Sequence, residues 1–121
     1  FGTNQSLISI NDGSTSNRIA LGYSGGNAFA IFSAASGANG TVSGSAITLD
    51  TYYKFCAAYQ NDVTLFQNGV DEGDAGDGSI SGLDRINFHR GDGASPFIGA
   101  IRNLVVFNTR PTNTQANSLT T

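Results

Sequence analysis

The sequence predicts an all-β domain of two antiparallel sheets, and three observations carry that prediction. Between Thr51 and Gln60 the residues alternate, Tyr53, Phe55, Ala57 and Tyr59 on one face and Tyr52, Lys54, Cys56 and Gln60 on the other. That period of two marks a half-buried strand and not a helix. Short apolar runs are separated by turn chemistry throughout, most sharply at Asn68-Gly69, where both positions tolerate positive φ. Sixteen Gly, two Pro, no Met and no Trp complete the pattern of many short strands and many turns.

Taken in order, Gln5 to Asn11 reads as a strand with Ile8 and Ile10 on one face and Leu7 and Ser9 on the other. Asn11-Asp12-Gly13-Ser14 turns the chain. Asn17 to Tyr23 follows, with Ile19, Leu21 and Tyr23 sharing a face. Gly25-Gly26 reverses it into Asn27 to Ala34, where Phe29 and Ile31 oppose Ala30 and Phe32. Ser36 to Gly44 is expected to be a loop with a weak strand near Thr41 to Ile47, too poor in bulk to form core. Strands at Tyr52 to Gln60 and Val63 to Gln67 come next, and then an acidic glycine-rich loop. Leu83 to Phe88 and Phe97 to Phe107 read as the closing strands. Arg110-Pro111 ends the last of these, because Pro cannot donate to a ladder. Thr112 to Leu119 is expected to form two helical turns, capped by Thr112 or Asn113, with Leu119 packed on the sheets. Eight or nine strands of this kind suit a sandwich.

One domain is the natural organisation of 121 residues. A formal charge of −3 argues against nucleic acid as a partner. No apolar run approaches the ~20 residues that cross a bilayer as a helix, so no membrane insertion is expected. Phe1 in place of an initiator Met leads to the expectation of a fragment or processed product. Cys56 is the one cysteine, which excludes an intrachain disulfide framework, and its place on a strand reads as a small structural hydrophobe.

Several stretches together carry a resemblance. They are Val63-Thr64-Leu65-Phe66-Gln67-Asn68-Gly69, Leu83-Asp84-Arg85-Ile86, Ile98-Gly99-Ala100-Ile101-Arg102-Asn103-Leu104 and Phe107-Asn108-Thr109-Arg110-Pro111-Thr112-Asn113. Their order and spacing resemble laminin-G-like, concanavalin A-like jelly rolls, in the version found in tail, fibre and other virion proteins of bacteriophages. The segment from Ser9 through Leu21 is similar to the first hairpin of those domains. The resemblance implies a jelly-roll sandwich with a short C-terminal helix, at a virion surface or otherwise extracellular. It implies as partners other virion subunits, copies of the chain itself, or host-surface carbohydrate. The family usually has one more strand ahead of Gln5, so residues 1–121 are expected to be a module lacking its first strand. A neighbour or a preceding segment would supply that strand, since sheet edges are normally covered.

Candidate chemistry is sparse. Glycoside cleavage needs two carboxyls roughly 5–10 Å apart, whereas Asp and Glu here are expected in turns and at strand edges, with no strand carrying a pair. The module is therefore read as non-catalytic, with a glycan-cleaving enzyme as the further alternative. Asp71, Glu72, Asp74 and Asp77 crowd a short glycine-rich stretch. Hard cations take six to eight oxygens, so Asp71, Asp74 and Asp77 are the calcium candidates, against the plain alternative of a solvated acidic loop. Arg90-Gly91-Asp92 spells an integrin-recognition tripeptide on an expected loop. Tyr23, His89 and Asp92 are the glycan-binding candidates, because an aromatic face can stack on a sugar ring. His89 has no second His with which to complete a zinc site. The expected function is a virion structural or adhesion module contacting host glycan or neighbouring subunits; the alternative is pure capsid or tail decoration without a ligand.

Overall fold

The computed structural model describes residues 6–48 and 50–121, so Gln5 of the first expected strand lies outside the described residues. Among the described residues the elements are β1 (Ser6–Asn11), β2 (Arg18–Ser24), β3 (Asn27–Ser33), β4 (Asn39–Ala46), β5 (Phe55–Tyr59), β6 (Val63–Gln67), β7 (Val70–Ala75), β8 (Arg85–Asn87) and α1 (Asn113–Thr120). They form a five-stranded sheet in the order β4-β3-β2-β1-β8 and a three-stranded sheet in the order β5-β6-β7. All pairings are antiparallel. The chain is thus mostly β with one short helix, as its alternation predicts.

Turn chemistry sets the registers. Asn68 and Gly69 take φ of 49° and 79°, the left-handed pair that a two-residue hairpin needs to match the strand twist. Gly25 and Gly26 do the same between β2 and β3. In the β1–β2 turn the Asp12 carboxylate accepts from the Ser14 amide at 2.9 Å.

Burial follows the period of two. Ile19, Ala30, Phe32 and Val42 from the large sheet meet Val63 and Leu65 from the small one, with Leu21, Phe55, Ala57 and Tyr59 at the margin. The opposite face of the large sheet buries Leu7, Ala20 and Phe29. Beside them Ser9 and Asn11 are buried polar residues. Ser9 Oγ donates to the His89 carbonyl at 2.7 Å, and Asn11 Nδ2 donates to Asn87 Oδ1 at 2.9 Å, so the segment after β8 is tied to this face. On the outside of the small sheet, Ala58 and Phe66 pack under Ala116 of α1 with Cys56 at the margin.

Five sequence expectations need correction. The Ser36–Gly44 region is mostly strand: β4 begins at Asn39, and Val42 sits in the intersheet core. The acidic loop is instead β7, an edge strand on which Glu72 forms a bulge between the Phe66–Asp71 and Leu65–Gly73 pairs. Carboxylates therefore do occupy a strand, and on an edge they repel a second edge from pairing there. The Leu83–Phe88 strand shrinks to three residues. The Phe97–Phe107 stretch belongs to no strand, because β propensity is realised only against a pairing partner and it forms no ladder with any described strand. Finally, α1 buries Ala116 and Thr120 and leaves Leu119 half exposed. The Thr112–Gln115 capping box fixes the helix start and so which face turns inward.

Candidate docking face and the surrounding loops

The two sheets differ in width, and the difference leaves one flank open. On one side β4 touches both β6 and β7, while helix α1 packs across the outer face of the small sheet against β5, β6 and β7. On the other side β5 is an edge strand. The large sheet continues past it through β1 and β8, and by register Ile10 and Ile86 share the core-facing side there. Ile86 is left 41% exposed.

Residues 101–109 join no ladder. Two arginines fix their course. The Arg102 guanidinium lies 3.7 Å from the centroid of the Tyr52 ring, just before β5. Arg110 pairs with Asp62, just after β5, and donates to Thr64 Oγ1 at 2.8 Å. The run therefore travels in the same direction as β5. Between the anchors Leu104, Val105, Val106 and Phe107 are 48%, 67%, 50% and 48% exposed. An open depression of about 500 Å³ separates Phe107 from Leu119 and Ser118 of α1.

The loop candidates are placed as follows. His89 and Asp92 occupy one tight loop after β8, and Tyr23 meets the far end of that segment, its hydroxyl donating to the Ile98 carbonyl at 2.7 Å. His89 Nδ1 accepts from the Gly91 and Gly93 amides at 3.0 and 3.2 Å. Asp92 takes two bonds from Arg90, at 2.6 and 3.2 Å, and one from the Ala94 amide at 3.0 Å. The tripeptide arginine and aspartate thus satisfy each other. The Arg90 hydrogen bonds hold the Asp92 carboxyl down at about 2. A depressed carboxyl favours the ordered loop above its usual range, near 4, and that preference fades as pH falls through 2. Carboxyl titration followed by carbon-detected NMR should therefore show Asp92 still ionised at pH 3; a midpoint near 4 would contradict the pairing.

Asp71 and Asp74 pair across from Phe66 and Thr64, which places them on the outer side of β7, while Asp77 follows the strand. Asp71 Oδ1 already accepts from the Gly73 amide at 3.0 Å. Among the described residues no three His, Cys, Asp or Glu side chains are grouped so as to hold a metal ion. Burial pushes the Cys56 thiol up, away from the thiolate form that nucleophilic chemistry uses. No described helix is long and apolar enough to cross a membrane.

No protein-family model, curated protein or solved structure matches the chain. The geometry of the molecule is what bears on function. Sequence reasoning took residues 97–107 for a closing strand and so missed the open flank; the four successive apolar residues Leu104 to Phe107, which break alternation, were the signal for it.

Proposed function

We propose that the chain is a non-catalytic β-sandwich module that docks onto neighbouring subunits of a larger assembly. One observation carries this reading: exposed apolar residues crowd one short run, Ile101 and Leu104 to Phe107, whose ends are anchored beside the two ends of β5. Ile86, 41% exposed, adds a further large apolar side chain. Large apolar side chains exposed together mark an interaction site. The resemblance to phage tail and fibre modules agrees with it and makes a virion the natural setting.

Contact with host-surface glycan is the second reading. It is favoured by Phe88, 49% exposed beside the His89–Asp92 loop, whose ring is free to meet the apolar face of a sugar. It has less support, because the Tyr23 hydroxyl, His89 Nδ1 and the Asp92 carboxylate are engaged within the chain.

Sedimentation velocity tests the docking reading. The isolated chain should associate reversibly with rising concentration, and the double variant Leu104→Asp/Val106→Asp should be monomeric. Both sites are half exposed, so the double variant should lose no more than about 1 kcal/mol of stability. Identical behaviour of the two proteins would contradict the reading.

A further inference from the structure

The docking reading leaves open what the strip receives, and the backbone beside it narrows the choice. The Asn68 amide donates to the Lys54 carbonyl at 2.9 Å, and the Gln60 amide donates to the Asp62 carbonyl at 3.1 Å. Lys54 and Gln60 are therefore at hydrogen-bonded positions of the β5–β6 pair. Antiparallel ladders alternate, so Cys56 and Ala58 also direct their N–H and C=O groups at β6. Those of Phe55, Ala57 and Tyr59 point the other way, along the open flank.

Resting on the docking reading, we infer that this flank is a slot for one extended peptide strand, added to the edge of β5 and running antiparallel to it. Three observations converge on that occupant. First, residues 102–110 run in the same direction as β5, held at each end by a long arginine side chain. A single strand placed between two that run alike is antiparallel to both and continues the alternation of β5-β6-β7. Second, the two edges of the small sheet are unlike. β7 carries Asp71, Glu72 and Asp74 with a bulge, which discourages pairing, whereas β5 reads Phe-Cys-Ala-Ala-Tyr with no charge at all. Third, the surfaces that such a strand would cover are apolar on both sides: Ile10 and Ile86 of the large sheet, and the strip from Leu104 to Phe107.

The recognition chemistry follows. Main-chain bonds to Phe55, Ala57 and Tyr59 would supply affinity, and apolar side chains at alternate positions would fill the uncovered core. A strand antiparallel to β5 ends beside Tyr52, where Lys54 and Arg102 stand. Lys54 donates to the Thr121 carbonyl, and its ammonium carries three donors. An acidic residue at the C-terminal end of the incoming strand is therefore complementary.

The test uses the full chain, isotopically labelled, and a soluble peptide of about eight residues alternating Val and Thr and ending in Asp. Binding should slow exchange of the Phe55, Ala57 and Tyr59 amides by at least about tenfold. It should also suppress self-association. Ala57→Pro removes a donor that β6 does not use, so the β5–β6 pair should survive and peptide binding should be lost. Val105→Asp, at an exposed position, is the second variant and should also abolish binding. Ending the peptide in Lys should weaken it. No protection at the three amides, with self-association intact, would overturn the slot and leave the docking reading standing. Protection of the same amides by self-association alone, undisturbed by peptide, would make a second copy the occupant and likewise overturn the proposal. A chain that neither associates nor binds peptide would remove both.

Discussion

Phe32→Ala should destabilise the chain by roughly 3–5 kcal/mol, the largest loss expected of any single truncation. Phe32 is fully buried between the sheets, among Ile19, Ala30, Val42, Val63 and Leu65. Its ring also fills the space beside Gly76, where an added Cβ would come within 2.8 Å of it. Side chains of both sheets and the Gly76 backbone wall the site, so the cavity collapses only in part. A chain of this length is stable by roughly 6–18 kcal/mol at ordinary values per residue. With one flank open this chain belongs toward the lower end, and the variant should be partly unfolded at 37 °C. Urea melts of the two proteins give the difference; a loss below about 1 kcal/mol would mean that Phe32 is not at the intersheet centre.

Gly40→Ala should cost about 3 kcal/mol, although it adds a single methyl group to an ordinary strand position. The reason is the approach of two main chains where β4 meets the end of β7. A Cβ on Gly40 would collide with the Gly76 amide nitrogen and lie 2.7 Å from the Ala75 carbonyl carbon and 2.8 Å from Gly76 Cα. None of those atoms can rotate aside, so the sheets must part. Gly44→Ala supplies the comparison. Its Cβ would meet Gln67 Oε1 at 2.8 Å and Leu65 Cδ2 at 2.9 Å, the mobile ends of side chains. That change should cost roughly 1 kcal/mol. Equal losses in the two variants would show that the close main-chain contact is absent in solution.

The parts of the fold legible in the sequence are those with local causes. Tyr53, Phe55, Ala57 and Tyr59 alternate because one side of β5 faces a core. Asn68-Gly69 announces its hairpin because few other pairs accept that geometry. Thr112 and Gln115 mark the start of α1 through a cap that needs no tertiary partner. Less legible were the elements whose state is decided by what lies beside them. β7 reads as an acidic loop because an exposed edge strand has no need of alternating apolar residues. β4 reads as filler because its side chains are small, yet that smallness lets its backbone approach β7. Residues 97–107 have the composition of a strand but form no ladder with a described one.

The same division holds for candidate sites. Asp71, Asp74 and Asp77 are close in sequence, but an extended chain spaces side chains widely, and those on β7 and just beyond it do not gather around a common point. His89 and Asp92 look reactive by type, yet the loop engages His89 Nδ1 with its own amides and the Asp92 carboxylate with Arg90 and the Ala94 amide. The open flank has no motif. It arises from a mismatch in width between two sheets, which single-residue reasoning does not register, and only the break in alternation at Leu104 to Phe107 hints at it.

Residue-resolved amide hydrogen exchange on the dilute chain, below the concentration at which it associates, tests the open edge most directly. Slow exchange at Cys56 and Ala58 together with fast exchange at Phe55, Ala57, Tyr59 and residues 103–107 is the predicted result. Uniform protection along β5, or protection of residues 103–107 in the monomer, would show the flank already closed and contradict the account.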